Sequence, residues 1–375
     1  MPSWNKKARP HSHKSVKAFL QLTVIPLVQR RRGPRMLPES PHVPSAFTGA
    51  TPAFRRVGVT GGLGFVGRNL VRALHRQGAS VTVFDLAAPG GADLPEGVRH
   101  VPVDLRAPAT LTSALGDLDL LFHLGGNSSG TVAVTDPRLD FETNALGTFN
   151  VCEAARLASL PRLVYLSSAM VYGTPQAVPQ REEHPTLPYY PYGASKLSGE
   201  HVVRAYARTY GLSAVLGRAF VIYGPGEDPR RAGAEVGQYL RWHLNGQPIR
   251  VTGDPDRKTR DFVHVHDIVT ALLLLAARGD DGEVYNLGSG SEVSLRQLVE
   301  HIHDVTGRRP RMLTDDTVTD DTYRLVADIS RLRGLGYRPS VDLPAGLAGL
   351  VDALGPTPEL PQLDTIFHPT SGAPA

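Results

Sequence analysis

The stretch Thr60-Gly61-Gly62-Leu63-Gly64-Phe65-Val66-Gly67 constrains this chain more than any other. It stands between a short apolar run, Val57–Thr60, and a segment with helical spacing, Phe65–Arg76. A glycine cluster between a strand and a helix is the arrangement that receives a dinucleotide. Gly61 permits the tight turn, Gly64 lets the backbone approach a pyrophosphate, and Gly67 lets the helix pack closely on the sheet. The N–H groups at the helix start, at Phe65 and Val66, then offer a positive dipole end to the phosphates. Asp85 closes the next strand about 20 residues on, where a carboxylate holds the adenosine ribose hydroxyls. No Arg or Lys falls in Leu86–Gly91 to receive a 2′-phosphate, so NAD is expected rather than NADP. Asp104 and Leu105, at the end of the third strand, are expected near the adenine.

Apolar runs at Ser80–Asp85, Arg99–Asp104, Asp119–Leu124, Arg162–Ser168 and Ser213–Ala219 predict further strands. They alternate with helices predicted at Asn144–Leu160 and Tyr192–Tyr210. Continuous apolar strands between helices mean a parallel sheet covered on both faces, an α/β fold of the Rossmann-type doubly wound class. After Gly224 the rhythm breaks, and Pro225–Asp261 is rich in Pro, Gly and Arg. Strands at Ile249–Thr252, Val263–Val265 and Glu283–Leu287 then mix with helices at His266–Arg278 and Ser294–Thr306. Short helices at Asp328–Leu335 and Ala345–Leu354 follow. The expectation is an NAD-binding domain over 54–224, taking back some later segments at about 255–290. A smaller C-terminal α/β substrate domain fills most of 225–354, and 355–375 is a Pro-rich, loose tail.

Residues 1–53 are rich in Pro, Arg and Ser without periodicity and read as a disordered basic leader. Translation beginning near Met36 is the other reading. Residues 1–52 hold about +8 of charge, so the overall +4 leaves the remainder at about −4. A mildly acidic body argues against a folded nucleic-acid-binding surface. The apolar run Ala18–Val28 is too short to span a bilayer, and no A-x-A-like cleavage site follows it. One cysteine, Cys152, excludes an internal disulfide and any C-x-x-C metal site, and suits a reducing cytoplasm. His123, His264 and His266 have too few acids in ligand spacing for a metal, so structural roles are expected.

Tyr192-Gly193-Ala194-Ser195-Lys196 opens a predicted helix, and a spacing of four puts Tyr192 and Lys196 on one face. A phenol is a poor base at neutral pH, and a neighbouring ammonium with an oxidised nicotinamide lowers its pKa. Lys196 is also placed to hold the cofactor ribose. Ser167-Ser168 end the fifth strand, at the sheet edge where ligands of such folds bind. A serine that donates to a carbinol oxygen, a tyrosine that moves its proton and a cofactor that takes the hydride make an oxidation site.

These motifs together resemble the extended short-chain dehydrogenases, the NAD-dependent epimerase/dehydratase family, over roughly 55–340. Thr60–Gly67 resembles the family's TGGxGFxG, and His123-Leu124-Gly125-Gly126 its H-x-A-A. Asn144–Thr148 resembles N-x-x-G-T, Leu166–Gly173 the SSxxVYG, and Pro191–Glu200 the active-site helix. Arg218–Gly226, Arg260–Asp267, Tyr285–Gly288 and Ala327–Ser330 follow in family order. The resemblance implies Ser168 as the catalytic serine beside Tyr192 and Lys196, and Leu124, Gly125, Gly126 and Asn144 as further cofactor contacts. It places Asn127, Ser128, Ser168 and Ala169 near the sugar.

Family dehydratases and decarboxylases carry acids just after that serine; here stand Ala169 and Met170. The pattern therefore looks most like a UDP-glucose 4-epimerase, acting on a nucleotide sugar, with a UDP-sugar favoured. Val221 stands where many relatives have an Asn, and Val318 where a diphosphate-binding Arg is common. Arg260 matches the other diphosphate arginine, and Arg324 stands near enough to substitute for the missing one. A net NAD-dependent oxidoreductase on a sugar or other secondary alcohol, and a silent NAD-sensing module, are the alternatives. Relatives pair through two helices, here Asn144–Leu160 and Tyr192–Tyr210, which implies a homodimer.

Overall fold

The computed structural model describes residues 54–90, 94–107, 111–230, 234–315 and 324–362. The leader, Val318 and the end of the tail lie outside the described residues. In chain order the first half runs β1 (Arg56–Thr60), α1 (Phe65–Arg76), β2 (Ser80–Asp85), β3 (Arg99–Pro102), α2 (Leu111–Leu115), β4 (Leu120–His123), α3 (Gly130–Thr135) and α4 (Pro137–Phe141). A π turn at Glu142–Leu146 leads into α5 (Gly147–Leu157), then β5 (Leu163–Ser168), a 3₁₀ turn at Ala169–Tyr172, α6 (Pro191–Tyr210), β6 (Ala214–Ala219) and β7 (Val221–Tyr223). The second half runs α7 (Glu235–Leu244), β8 (Ile249–Thr252), β9 (Thr259–Arg260), β10 (Phe262–His264), α8 (Val265–Arg278), β11 (Val284–Leu287), β12 (Val293–Ser294), α9 (Leu295–Thr306), β13 (Met312–Asp315), β14 (Arg324–Leu325), α10 (Ser330–Gly334) and α11 (Leu343–Leu354).

Seven strands form one sheet in the order β3-β2-β1-β4-β5-β6-β11, all parallel. Helices cover both faces. Leu70 and Leu74 of α1 and Ile268, Leu272 and Leu275 of α8 pack on one. Leu111, Leu115, Val151, Cys152, Val203 and Tyr206 from α2, α5 and α6 pack on the other. That double cover buries every residue of β4 and β6, as an apolar parallel strand requires. Chain order reverses between β1 and β4, and a crevice at the carboxyl ends of the strands is where such sheets bind ligands.

A second core gathers Tyr223, Tyr239, Leu240, Trp242, Ile249, Val251, Phe262, Leu298, Ile302 and Leu347. Small sheets β10-β7, β12-β9-β14 and β13-β8 accompany it. Helix α7 was not legible in the sequence, because Glu235 through His243 are all buried, Glu235, Gln238, Arg241 and His243 included, so its polar residues mark no solvent face. The helix expected over Asn144–Leu160 begins instead as the π turn. There Thr148 Oγ1 donates to the Asn144 carbonyl at 2.5 Å, a side chain entering the helical ladder. The tail expected to be loose is tied down as far as it is described. Gln362 N–H donates to the Pro229 carbonyl at 3.1 Å, Arg241 to that of Glu359 at 2.9 Å, and Asn245 to that of Pro358 at 2.7 Å.

Candidate active site

The glycine turn is packed too tightly for side chains. A Cβ on Gly67 would fall inside contact distance of the Gly61 carbonyl, and Gly61 itself adopts φ 65°. A Cβ on Gly61 would lie 2.8 Å from Gly125 Cα, so this turn abuts the loop after β4. Gly64 N-caps α1 with no side-chain cap, leaving the first turn of the helix, with Phe65 and Val66, to an external anion. Asp85 is held at the tip of β2, accepting from Leu63 N–H at 3.0 Å and Ala87 N–H at 3.1 Å. Its carboxylate thus sits over the turn, where a ribose diol would meet it. Thr60 Oγ1 accepts from Gly125 N–H at 3.0 Å and bonds His123 Nδ1 at 2.8 Å. His123 Nε2 bonds Thr148 Oγ1 at 3.0 Å, and burial keeps this ring neutral, its pKa pushed down to about 3. The buried Asn144 amide oxygen has no protein partner. Together the close-packed turn, the uncapped helix start and that free oxygen fit a dinucleotide lying along the crevice.

Leu105 packs beside Gly125 and Gly147, and its carbonyl accepts from Asn150 at 2.7 Å. Asp104 takes Arg106 in two contacts of 2.6 and 2.9 Å. Leu124 is half-buried, and Gly126 and Ser128 are exposed.

Tyr192 lies in the first turn of α6 with the Ser168 hydroxyl beside its phenol. Ser168 Oγ accepts from Met170 N–H at 3.2 Å, so its single hydrogen points toward the Tyr192 side of the site. Ser167 faces elsewhere and donates to Glu200 at 2.6 Å. Burial pushes the Tyr192 phenol up to about 12, opposed by the Ser168 hydrogen bond and reinforced by the Asp140 carboxylate. At pH 7 such a phenol is ionised in only about one molecule in 10⁵. The lowering expected from Lys196 is therefore not seen in the chain by itself. The ammonium turns to the Leu166 carbonyl at 2.6 Å and sits 4.5 Å from the Tyr165 ring centroid. Burial brings Lys196 down to about 8, with Glu200 and Asp140 acting to raise it.

Ala169 is buried and Met170 half-buried, so no titratable group follows the serine. Asn127 spans its own loop, accepting from Ser129 N–H at 3.0 Å and donating to Asp140 at 2.7 Å. Arg260 and Arg324 lie on the paired strands β9 and β14, in adjacent rows. Both have carboxylate partners. Arg260, buried, meets Glu235 at 3.0 Å, and Arg324, half exposed, meets Glu292 at 2.7 Å. Among the described residues no three His, Cys, Asp or Glu side chains gather as a metal site. Nor is any described helix long and apolar enough to cross a membrane.

Two parts of the site escaped sequence reasoning. Glu200 takes Ser167 and two nitrogens of Arg218, and stands four residues after Lys196, a spacing that was there to be read. Asp140 reaches the site through Asn127 and Asn144, and the Asn127 contact is a tertiary one for which the sequence carries no signal.

Comparisons with known proteins give the family. The model of the NAD dependent epimerase/dehydratase family matches residues 57–288. The UDP-glucose 4-epimerase of Mycolicibacterium smegmatis is 33% identical over 304 residues, covering 78% of this chain and 96% of its own. A dTDP-glucose 4,6-dehydratase of Streptomyces niveus is 31% identical, covering 79% and 92%. The crystal structure of the Thermus thermophilus UDP-glucose 4-epimerase in complex with NAD superposes with a TM-score of 0.73 at 32% identity, over 80% of this chain and 98% of that one. The chain belongs to the NAD-dependent epimerase/dehydratase family. It is an extended short-chain dehydrogenase in fold, an enzyme of a family whose cofactor is NAD.

Proposed function

We propose that this enzyme is a nucleotide-sugar 4-epimerase in which Tyr192 is the acid–base group, Ser168 the donor to the reacting oxygen and Lys196 the cation beside them. The observation that carries the reading is the Ser168 hydroxyl beside the Tyr192 phenol, with Ala169 and Met170, neither of which transfers a proton, following the serine. NAD, when bound, supplies the hydride acceptor and donor at the sugar carbon and a positive ring that favours the phenolate. The chain's own part is proton work at one oxygen. Ser168 donates a hydrogen bond to the C4 hydroxyl oxygen, and the Tyr192 phenolate takes that hydroxyl's proton as the C4 carbonyl forms. After the ketone presents its other face, Tyr192 returns the proton to the same oxygen. The sugar leaves with C4 inverted and no net change of oxidation state.

In this reading Gly61, Gly64, Phe65, Val66 and Gly67 hold the pyrophosphate, and Asp85 the adenosine ribose. Asp104 and Leu105 stand by the adenine, while Leu124, Gly125, Gly126, Asn144 and Lys196 line the nicotinamide side. Asn127, Ser128 and Ala169 face the sugar, and Arg260 with Arg324 the diphosphate. A UDP-sugar is favoured, since the Mycolicibacterium and Thermus relatives are UDP-glucose enzymes. The second core, with α7, α9 and α11, serves as the substrate-binding part. A homodimer through α5 and α6 is supported by the exposed Phe149 and Leu157 on α5 and Tyr210 on α6. Light scattering at the monomer mass would refute that pairing.

The test is a panel of UDP-, dTDP- and GDP-hexoses resolved by chromatography. The expected result is interconversion of a 4-epimer pair without accumulation of NADH. Tyr192→Phe should lower kcat by about 10³-fold or more while the purified protein keeps its NAD. Stoichiometric NADH would mean a net oxidoreductase, and a 4-keto-6-deoxy product would mean a dehydratase.

A further inference from the structure

Asp140 is buried in α4, away from every motif that defines the site. Its Oδ1 accepts from Asn127 at 2.7 Å and from Asn144 at 3.0 Å. Its Oδ2 is buried with no partner in the protein. Asn144 in turn reaches the Asn127 carbonyl at 3.1 Å and Ser195 Oγ at 3.0 Å. Ser195 Oγ donates to the Tyr192 carbonyl at 3.0 Å, so the chain of contacts ends on the backbone of the candidate base. One carboxylate therefore links the loop after β4 to the first turn of α6.

A buried carboxylate with an unpaired oxygen is costly unless a nearby cation compensates it. The charges facing Lys196 are Glu200 on its own helix and Asp140 from α4; His123 from β4 is neutral, and Tyr165 from β5 offers its ring face. Glu200 is already bound on both oxygens by Arg218. Asp140 is left as the counter-charge without a cation of its own. The Tyr192 phenol faces Ser168 and the same Asp140.

We infer that Asp140 is a positioning residue of the reaction: through Asn127 and Asn144 it sets the Gly125–Asn127 loop against the turn that carries Tyr192, and its charge sets the field in which Tyr192 holds and releases its proton beside the Lys196 ammonium. This rests on Tyr192 being the acid–base group. Asp140 touches neither sugar nor cofactor in this assignment and acts through its neighbours.

The test uses Asp140→Asn in the full chain, with kcat and KM followed across pH. Asparagine keeps an acceptor for Asn127 and Asn144 and removes only the charge. Since the carboxylate raises both Tyr192 and Lys196, its loss should move both limbs of the kcat profile to lower pH, by roughly half a unit or more, with KM changed less than about threefold. Asp140→Glu, which keeps the charge, should leave the limbs in place even if kcat falls. Limbs unmoved in Asp140→Asn, or moved equally in Asp140→Glu, would overturn the inference. If neither variant folds, Asn127→Ala decides it. The loop arm is then cut and the charge kept, so retained NAD should fall with the limbs unmoved. Unchanged NAD content would reject the linkage. Tyr192→Phe run beside them separates the two ideas, because full activity in that variant would fail the acid–base reading itself.

Discussion

Glu200 and Arg218 form a buried ion pair in the sheet region, and Glu235 and Arg260 form another in the C-terminal region. In the first, both oxygens are taken. Oε1 accepts from Ser167 and Arg218 Nε, and Oε2 from Arg218 Nη2 at 2.7 Å. The pair locks β5, β6 and α6 together beneath Lys196. In the second, Arg260 Nε meets one oxygen of Glu235, and the arginine is also the residue proposed to meet the substrate diphosphate. The difference separates two duties of buried charge. Where the pair only ties elements together it is frame, and where the arginine is also the proposed diphosphate contact the pair holds a ligand-binding group until an anion competes for it.

Glycines sharpen the same contrast, with the largest expected effect on bound NAD. A methyl group at Gly67 would run into the Gly61 carbonyl and lie 2.7 Å from Gly62 Cα, both backbone. Relief requires moving the turn itself, so Gly67→Ala should cost about 1–3 kcal/mol and strip NAD from the purified protein. A methyl group at Gly237 of α7 would meet the carboxylate end of Glu227, a side chain that can swing. Its movement gives up the bond from Ala234 N–H, so Gly237→Ala should cost about 1 kcal/mol and leave the NAD content unchanged. Absorbance of released NAD and thermal melts of the two variants, side by side, check both. Equal losses of NAD would erase the distinction between a backbone frame and an adaptable C-terminal region.

The sheet region was far more legible in the sequence than the C-terminal one, for a physical reason. Its strands are apolar runs bounded by turns, and α1 and β2 fall where Phe65–Arg76 and Ser80–Asp85 were expected. The glycine turn and the Tyr192–Lys196 spacing depend on local geometry, which a sequence carries. In the C-terminal region α7 is buried on every side, and β9, β12 and β14 are two-residue strands, too short for any period to register. Asp140 is illegible for a different reason: Asn144 stands at the ordinary helical spacing of four, but Asn127, thirteen residues back, meets the same carboxylate only through the tertiary fold. The tilt of Lys196 toward Leu166 rather than toward the phenol is likewise a tertiary outcome, fixed by the carbonyl at the end of β5.

The two ion pairs make the finer test. Glu200→Gln must leave an amide where Oε2 accepted Arg218 Nη2, setting donor against donor in a pair whose side chains are 4% and 1% exposed. Breaking a buried pair from one side leaves an uncompensated charge, so the expected loss is about 3–5 kcal/mol by denaturant melt. Glu235→Gln can keep its contact with Arg260, because the amide oxygen accepts from Nε as Oε1 does. It should cost only about 1–2 kcal/mol. It also weakens the hold on the guanidinium, so KM for a nucleoside-diphosphate sugar should fall by about two- to fivefold with kcat little changed. That is the smallest effect of the set and the most informative about substrate. A KM that rises instead would mean Glu235 orients Arg260 for the anion rather than competing with it, and the arginine would then be frame, like Arg218.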